Sequence, residues 1–123
     1  MCHKEVIVSR MADMFQPKFD VNGLLTAVVS HAETGALLMV AHMNAAAIAK
    51  TRQTGRAHFW SRSRQALWLK GETSGHFLNV QQILVDCDQD CLWVKALPDG
   101  PACHTGAPSC FFRKLTPQGL EPL

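Results

Sequence analysis

The chain has 123 residues, 47% hydrophobic and 18% charged, with a formal net charge of +2. That length suits one domain, the composition excludes a disordered chain, and the charge is too small to imply a nucleic-acid partner. Apolar runs such as Ala36 to Ala41 are far too short to span a bilayer. The opening Met1-Cys2-His3-Lys4-Glu5 carries no leader pattern, so the sequence reads as a cytoplasmic protein without a membrane partner. Five cysteines in a reducing compartment then point to metal binding or catalysis rather than to disulfides.

Residues 1–22 read as a lead-in, broken at Pro17, with a helical stretch from Val6 to Met14. No repeat or linker divides the rest of the chain, so residues 23–116 form one domain and residues 117–123 a tail. Leu24 to His31 is a Val-rich strand, Glu33-Thr34-Gly35 a turn, and Ala36 to Ala41 a second short strand, together a hairpin. Asn44 is a good N-cap for an Ala-rich helix over 45–54, and Gly55 stands where a terminating glycine belongs. His58 to Ser61 and Ala66 to Leu69 are strands flanking Arg62-Ser63-Arg64. Phe77 to Val85 and Leu92 to Leu97 are further strands, Pro98-Asp99-Gly100-Pro101 is a turn, and Cys110 to Leu115 is the last strand. The fold class is α+β: a strand-dominated single domain with one clear helix.

Chemistry concentrates late in the chain. Asp86, Asp88 and Asp90 alternate, so on an extended segment their carboxylates share one face, where a hard cation such as Mg²⁺ would neutralise them. A solvated acidic turn is the plainer alternative. Cys87 and Cys91 then fall on the opposite face, about 13 Å apart on a strand. Ligand sulfurs on one tetrahedral zinc lie about 3.8 Å apart, so the two cannot share an ion unless the chain turns sharply. Cys103 and Cys110 are separated by Gly106 and Pro108, which let the chain loop back. Cys87, Cys103 and Cys110 would give three thiolates and an open fourth position, as a catalytic zinc needs. A closed structural site completed by Cys91 or His104, or simple buried thiols, are the alternatives.

Five segments, in order and in register, resemble the phosphoribosyl-AMP cyclohydrolase family: Ser61-Arg62-Ser63-Arg64, Trp68 to His76, Asp86 to Asp90, Gly100 to Gly106, and Ser109 to Arg113. The likeness covers roughly residues 23–114. It implies a hydrolase of histidine biosynthesis, with Zn²⁺ on Cys87, Cys103 and Cys110 and Mg²⁺ on Asp86, Asp88 and Asp90. It further implies an intertwined homodimer in which Cys87 of one subunit completes the zinc site of the other. The implied reaction is attack of a zinc-bound hydroxide on adenine carbon 6, opening the ring between nitrogen 1 and carbon 6. This chain departs from the pattern at His42, where Tyr is common, at Gln89, where Gly is common, and at the extra Cys91.

The substrate so implied carries two phosphates and needs a proton carrier. His104, next to Cys103, is the first choice, with hydrogen-bond support of a ligand sulfur as its alternative role and His58 or His76 as substitutes. Arg62 and Arg64, sharing one face of a strand, suit one phosphate. Exposed N–H groups of Gly71 to Gly75, with the Thr73 and Ser74 hydroxyls, suit the other. Trp60, Trp68 and Trp93 read as core. A zinc-stabilised RNA-binding module is the competing class, set back by the low charge and the aspartates. A base deaminase is set back by the missing H-x-E…P-C-x-x-C pattern. Many members of the family are fused to a pyrophosphohydrolase domain, which these residues cannot hold, so that step is expected on another polypeptide.

Overall fold

The computed structural model describes residues 14–123. The helical stretch expected from Val6 falls, but for Met14, outside the described residues, as does Cys2. Within them the chain runs β1 (Leu25–His31), β2 (Leu37–Met43), α1 (Ala45–Thr54), β3 (His58–Ser61), β4 (Ala66–Leu69), β5 (Leu78–Val85), β6 (Cys91–Pro98), β7 (Arg113–Thr116) and β8 (Gly119–Pro122). Strands dominate and one helix stands among the described residues, too short and polar to cross a membrane.

Four strands form one sheet in the order β2-β1-β6-β5. β1 pairs antiparallel with β2 and β5 with β6, while β1 and β6 are parallel, Thr26 facing Cys91 and His31 facing Ala96. Alternation sends Leu25, Ala27 and Val29 of β1 and Leu92, Val94 and Ala96 of β6 to the same face. There they meet Ile48 of α1 and Phe59 of β3 in the core.

Helix α1 begins where Asn44 accepts a hydrogen bond from the Ala47 N–H at 2.8 Å. It ends where Gly55 turns left-handed at φ 77° and returns its N–H to the Thr51 carbonyl. Buried Thr51 ties this helix to β3, its hydroxyl donating to Ala47 O at 2.8 Å and accepting from the His58 N–H at 2.9 Å.

The chain end differs from the sequence expectation. Ser109 and Cys110 are held in a loop against β2, the Ser109 hydroxyl donating to Leu37 O at 2.6 Å and the Cys110 N–H to Leu38 O at 2.8 Å. The last stretch therefore becomes a strand only at Arg113, and residues read as a tail fold back as β8. Pro117-Gln118-Gly119 makes that reversal, closed by the Thr116 hydroxyl donating to Gly119 O.

The sheet's second face carries no element of this chain among the described residues. Across it, Val40, Val28, Trp93 and Leu84 are aligned partners on neighbouring strands. Val40 and Trp93 are each 45% exposed, so Trp93 is not the core residue the sequence suggested. Its indole N–H donates to Ser30 Oγ at 2.7 Å and its ring lies under the Lys95 ammonium, which ties the apolar plate to polar neighbours.

Candidate active site

A cleft of about 400 Å³ opens between the β4 end, the loop over residues 70–76 and the loop over residues 101–106. β3 and β4 form a hairpin that carries Trp68 to its wall, the indole packed on Phe59 with ring centroids 5.2 Å apart. Trp68 is thus part core and part cleft lining. The loop after β4 is a tight turn in which the Gly75 N–H donates to Gly71 O at 2.8 Å. It brings Thr73 and Ser74 to the cleft, and the Ser74 hydroxyl accepts from the His76 N–H at 3.1 Å.

Of the two arginines, only Arg64 lines this cleft. Both sit on the turn joining β3 to β4 rather than on a strand face, because the strand pairing stops at Ser61 and Ala66. The pairing argument for Arg62 and Arg64 therefore fails, and Arg62 lies off the cleft wall.

The loop over residues 101–110 turns back through Gly106, at φ 94°, with the Gly106 N–H on Cys103 O and the Cys103 N–H on Ala107 O. Cys103 is buried on the cleft floor, and its thiol is held below the usual range, first by the Thr105 hydroxyl donating to its sulfur at 3.1 Å. Two influences appear on both thiols: Cys103 and Cys110 act on one another, and the Lys70 ammonium draws each toward its thiolate. Burial and the charge of Cys103 outweigh that pull on Cys110 and raise its pKa. Lys70 also lines the cleft. The sequence alone gives Lys70 no role and marks Trp68 as core, and a lone lysine after a strand carries no signal that would have placed it in such a site.

His104 and His76 both reach the cleft, whereas His58 does not. His58 is 8% exposed and its Nδ1 meets the Arg56 carbonyl at 2.8 Å, which makes it a structural imidazole between α1 and β3.

Asp86, Asp88 and Asp90 converge, with one oxygen from each within 4.8 Å of the others. Strand alternation is not the cause. Residues 87–90 form a turn after β5, closed by the Gln89 N–H on Asp86 O, with Gln89 left-handed at φ 59°. Glycine meets no steric penalty there. Gln89 compensates through its side chain, which accepts from the Gln16 N–H at 2.7 Å, and its carbonyl, which accepts from the Lys18 N–H. Desolvation acts to raise the Asp86 pKa, but the Asp90 side chain and the N–H groups of Asp90 and Cys91 hold it below the usual range. Asp90 is pushed up, first by its hydrogen bond to Asp86 and further by its charged neighbours.

That turn also removes the strand geometry on which the separation of Cys87 from Cys91 depended. Cys87 is exposed, while half-buried Cys91 is raised by desolvation and by Asp86 and Asp90.

Cys87 leaves the sheet beyond β5, at the Cys91 end of β6. Cys110 hangs on the outer edge of β2 near Leu38, at the far end. With strands about 4.8 Å apart and a rise of about 3.3 Å per residue, these corners lie on the order of 20 Å from one another. Among the described residues, only the three aspartates bring together three ligating atoms.

The family model for phosphoribosyl-AMP cyclohydrolase matches residues 39–112, which hold every cleft and metal-site residue named above. The chain belongs to the phosphoribosyl-AMP cyclohydrolase family. A phosphoribosyl-AMP cyclohydrolase of Sphingopyxis alaskensis is 62% identical over 107 residues, spanning 87% of this chain and 85% of that one. That of Erythrobacter litoralis is 63% identical over 108 residues, 88% of this chain and 86% of its own. The Brucella canis protein of the same name is 55% identical over 107 residues, 85% of this chain and 77% of its own.

Proposed function

We propose that this chain hydrolyses phosphoribosyl-AMP as a step of histidine biosynthesis, opening the adenine ring between nitrogen 1 and carbon 6. The observation that carries the reading is the cleft. It has the buried Cys103 thiol on its floor, a histidine beside it, cations and hydroxyls on its walls, and it lies within the matched span of the family.

The donor sets fit two metals of different softness. Cys103 and Cys110, at the two ends of the returning loop, suit zinc, and Cys87 of a second copy is the third thiolate, since Cys87 of the same chain sits at the opposite corner. Asp86, Asp88 and Asp90 suit Mg²⁺. Zinc, when bound, acidifies the water that attacks carbon 6. His104, exposed beside Cys103, takes a proton from that water and returns it to ring nitrogen 1 as its bond to carbon 6 breaks. Arg64 and Lys70 meet phosphate, Thr73 and Ser74 present hydroxyls and backbone N–H groups to it, and Trp68 offers an apolar wall to the base. Arg62, off the cleft wall, is given no phosphate contact in this reading.

The homodimer has support in the uncovered sheet face, where the Val40-Val28-Trp93-Leu84 row would be buried by a second copy.

The test is an absorbance assay of ring opening with phosphoribosyl-AMP, run before and after zinc chelation. Turnover that disappears with the metal and returns on adding zinc supports the whole reading. Turnover untouched by complete zinc removal overturns the metal assignment, and zinc-loaded protein without turnover overturns the reaction.

A further inference from the structure

Gly71 and Gly100 close on one residue. A Cβ at Gly71 would lie 2.6 Å from the carbonyl carbon and oxygen of His76 and from the Phe77 nitrogen. A Cβ at Gly100 would lie 2.5 Å from Cδ2, 2.8 Å from Cγ and 2.9 Å from Nε2 of the His76 ring. The other glycines, Gly23, Gly35, Gly55, Gly75, Gly106 and Gly119, have nothing within 4 Å and all turn left-handed, so backbone freedom explains them. Gly100 is the one glycine whose backbone any residue could adopt. What requires a glycine at position 100 is the imidazole lying against it.

His76 is half-buried and lines the cleft directly after the Gly71–Gly75 turn. Its N–H is tied to Ser74, yet among the described residues no protein group bonds either ring nitrogen. His31 and His58 differ, each having a ring nitrogen held by backbone. Packing alone therefore sets the His76 ring, and its nitrogens are left for a bound molecule.

We infer that Gly100 is a positioning residue that seats the His76 imidazole, and that His76, so seated, donates a hydrogen bond to a phosphomonoester of the nucleotide in the cleft. This rests on the cleft being the nucleotide site. The location agrees with that chemistry, because the same turn supplies Thr73 and Ser74, and Lys70 stands next to it. Mobile, an imidazole would pay its ordering cost at each binding event; packed against Gly100 it is already in place.

Gly100→Ala, His76→Ala and the double variant test it, each loaded with zinc. AMP affinity is measured by calorimetry, kcat and KM by ring opening, and the His76 ring signals by NMR. Losing a hydrogen bond to a charged group should raise both the AMP Kd and KM about tenfold in each single variant, with kcat changed by less than about twofold. The double variant should be no worse than either single one, since both remove the same contact. The His76 ring signals should shift in Gly100→Ala. Additive losses, or a Gly100→Ala protein with unmoved His76 signals, overturn the positioning role. Should Gly100→Ala fail to fold, His76→Ala still decides, because it only vacates space: unchanged AMP affinity with ring opening intact overturns the inference alone. Absence of ring opening in zinc-loaded wild type counts against the proposed reaction instead.

Discussion

Lys70 is the clearest case of a side chain whose role depends on its surroundings. Its ammonium acts on both Cys103 and Cys110 while standing on the wall of the cleft. Replacing it with glutamine should cost one charge-assisted contact to phosphate, raising KM about tenfold; steady-state kinetics at saturating zinc checks this. The cysteines separate by zinc content. Cys103→Ser should retain no zinc, whereas Cys91→Ser should retain it fully, since Cys91 lies beside the aspartates and away from the thiol pair. Metal analysis per subunit decides, and a zinc-free Cys91→Ser protein would sink the ligand assignment. Asp88→Asn should keep zinc and blunt the response of activity to added Mg²⁺, because removing one carboxylate weakens a hard-ion site. A titration with Mg²⁺ at constant zinc checks it. These site residues were legible to different degrees. Gly106 and Pro108 announce a loop that returns, and the chain does turn back there, the Gly106 N–H meeting Cys103 O. The aspartates could be read as a cluster but for the wrong reason: a turn at Gln89, with no glycine to signal it, gathers them. Lys70 and the cleft role of Trp68 depend on how two loops approach one another, which no local pattern encodes.

Among the elements, α1 was the most legible, because both its ends are chemical signals: the Asn44 side chain on the Ala47 N–H, and the left-handed Gly55. Strands were legible in number and kind up to β6, since alternation marks them, and their ends moved by a residue or two where hydrogen bonding continues past the apolar run. β8 was missed because its residues are mostly exposed and show no buried face. The joint between α1 and β3 was equally invisible, resting on Thr51, a polar residue in a helix interior. Thr51→Val keeps shape but leaves the buried His58 N–H without its 2.9 Å partner. The expected cost is about 1–3 kcal/mol in urea unfolding of zinc-loaded protein, with the slope of the transition unchanged. A change below about 0.5 kcal/mol would mean that this joint adds nothing to stability.

For the whole molecule, the decisive geometry is the placement of Cys87 and Cys110 at opposite corners of the sheet. Cys87→Ser and Cys103→Ser proteins, each inactive alone, should complement when unfolded together and refolded in equal amounts. On the proposed shared-site dimer, one site of a mixed pair inherits both defects and the other neither. About half the dimers are mixed, so roughly a quarter of wild-type activity should return. No recovery, with mixed dimers present, would place each site within one subunit.

The parallel pairing of β1 with β6 has a further consequence, one of timing. It joins the 26–31 stretch to the 91–96 stretch, so the middle of the sheet closes only after the helix, the β3–β4 hairpin and β5 have all been made. Contacts this distant in sequence slow folding, because the loop must close before the pairing rewards it. On the ribosome, the β1–β2 hairpin emerges with one edge of β1 unpaired until β6 arrives. That waiting edge, rich in Val and Ala, is where a nascent chain is most exposed to pairing with a neighbour.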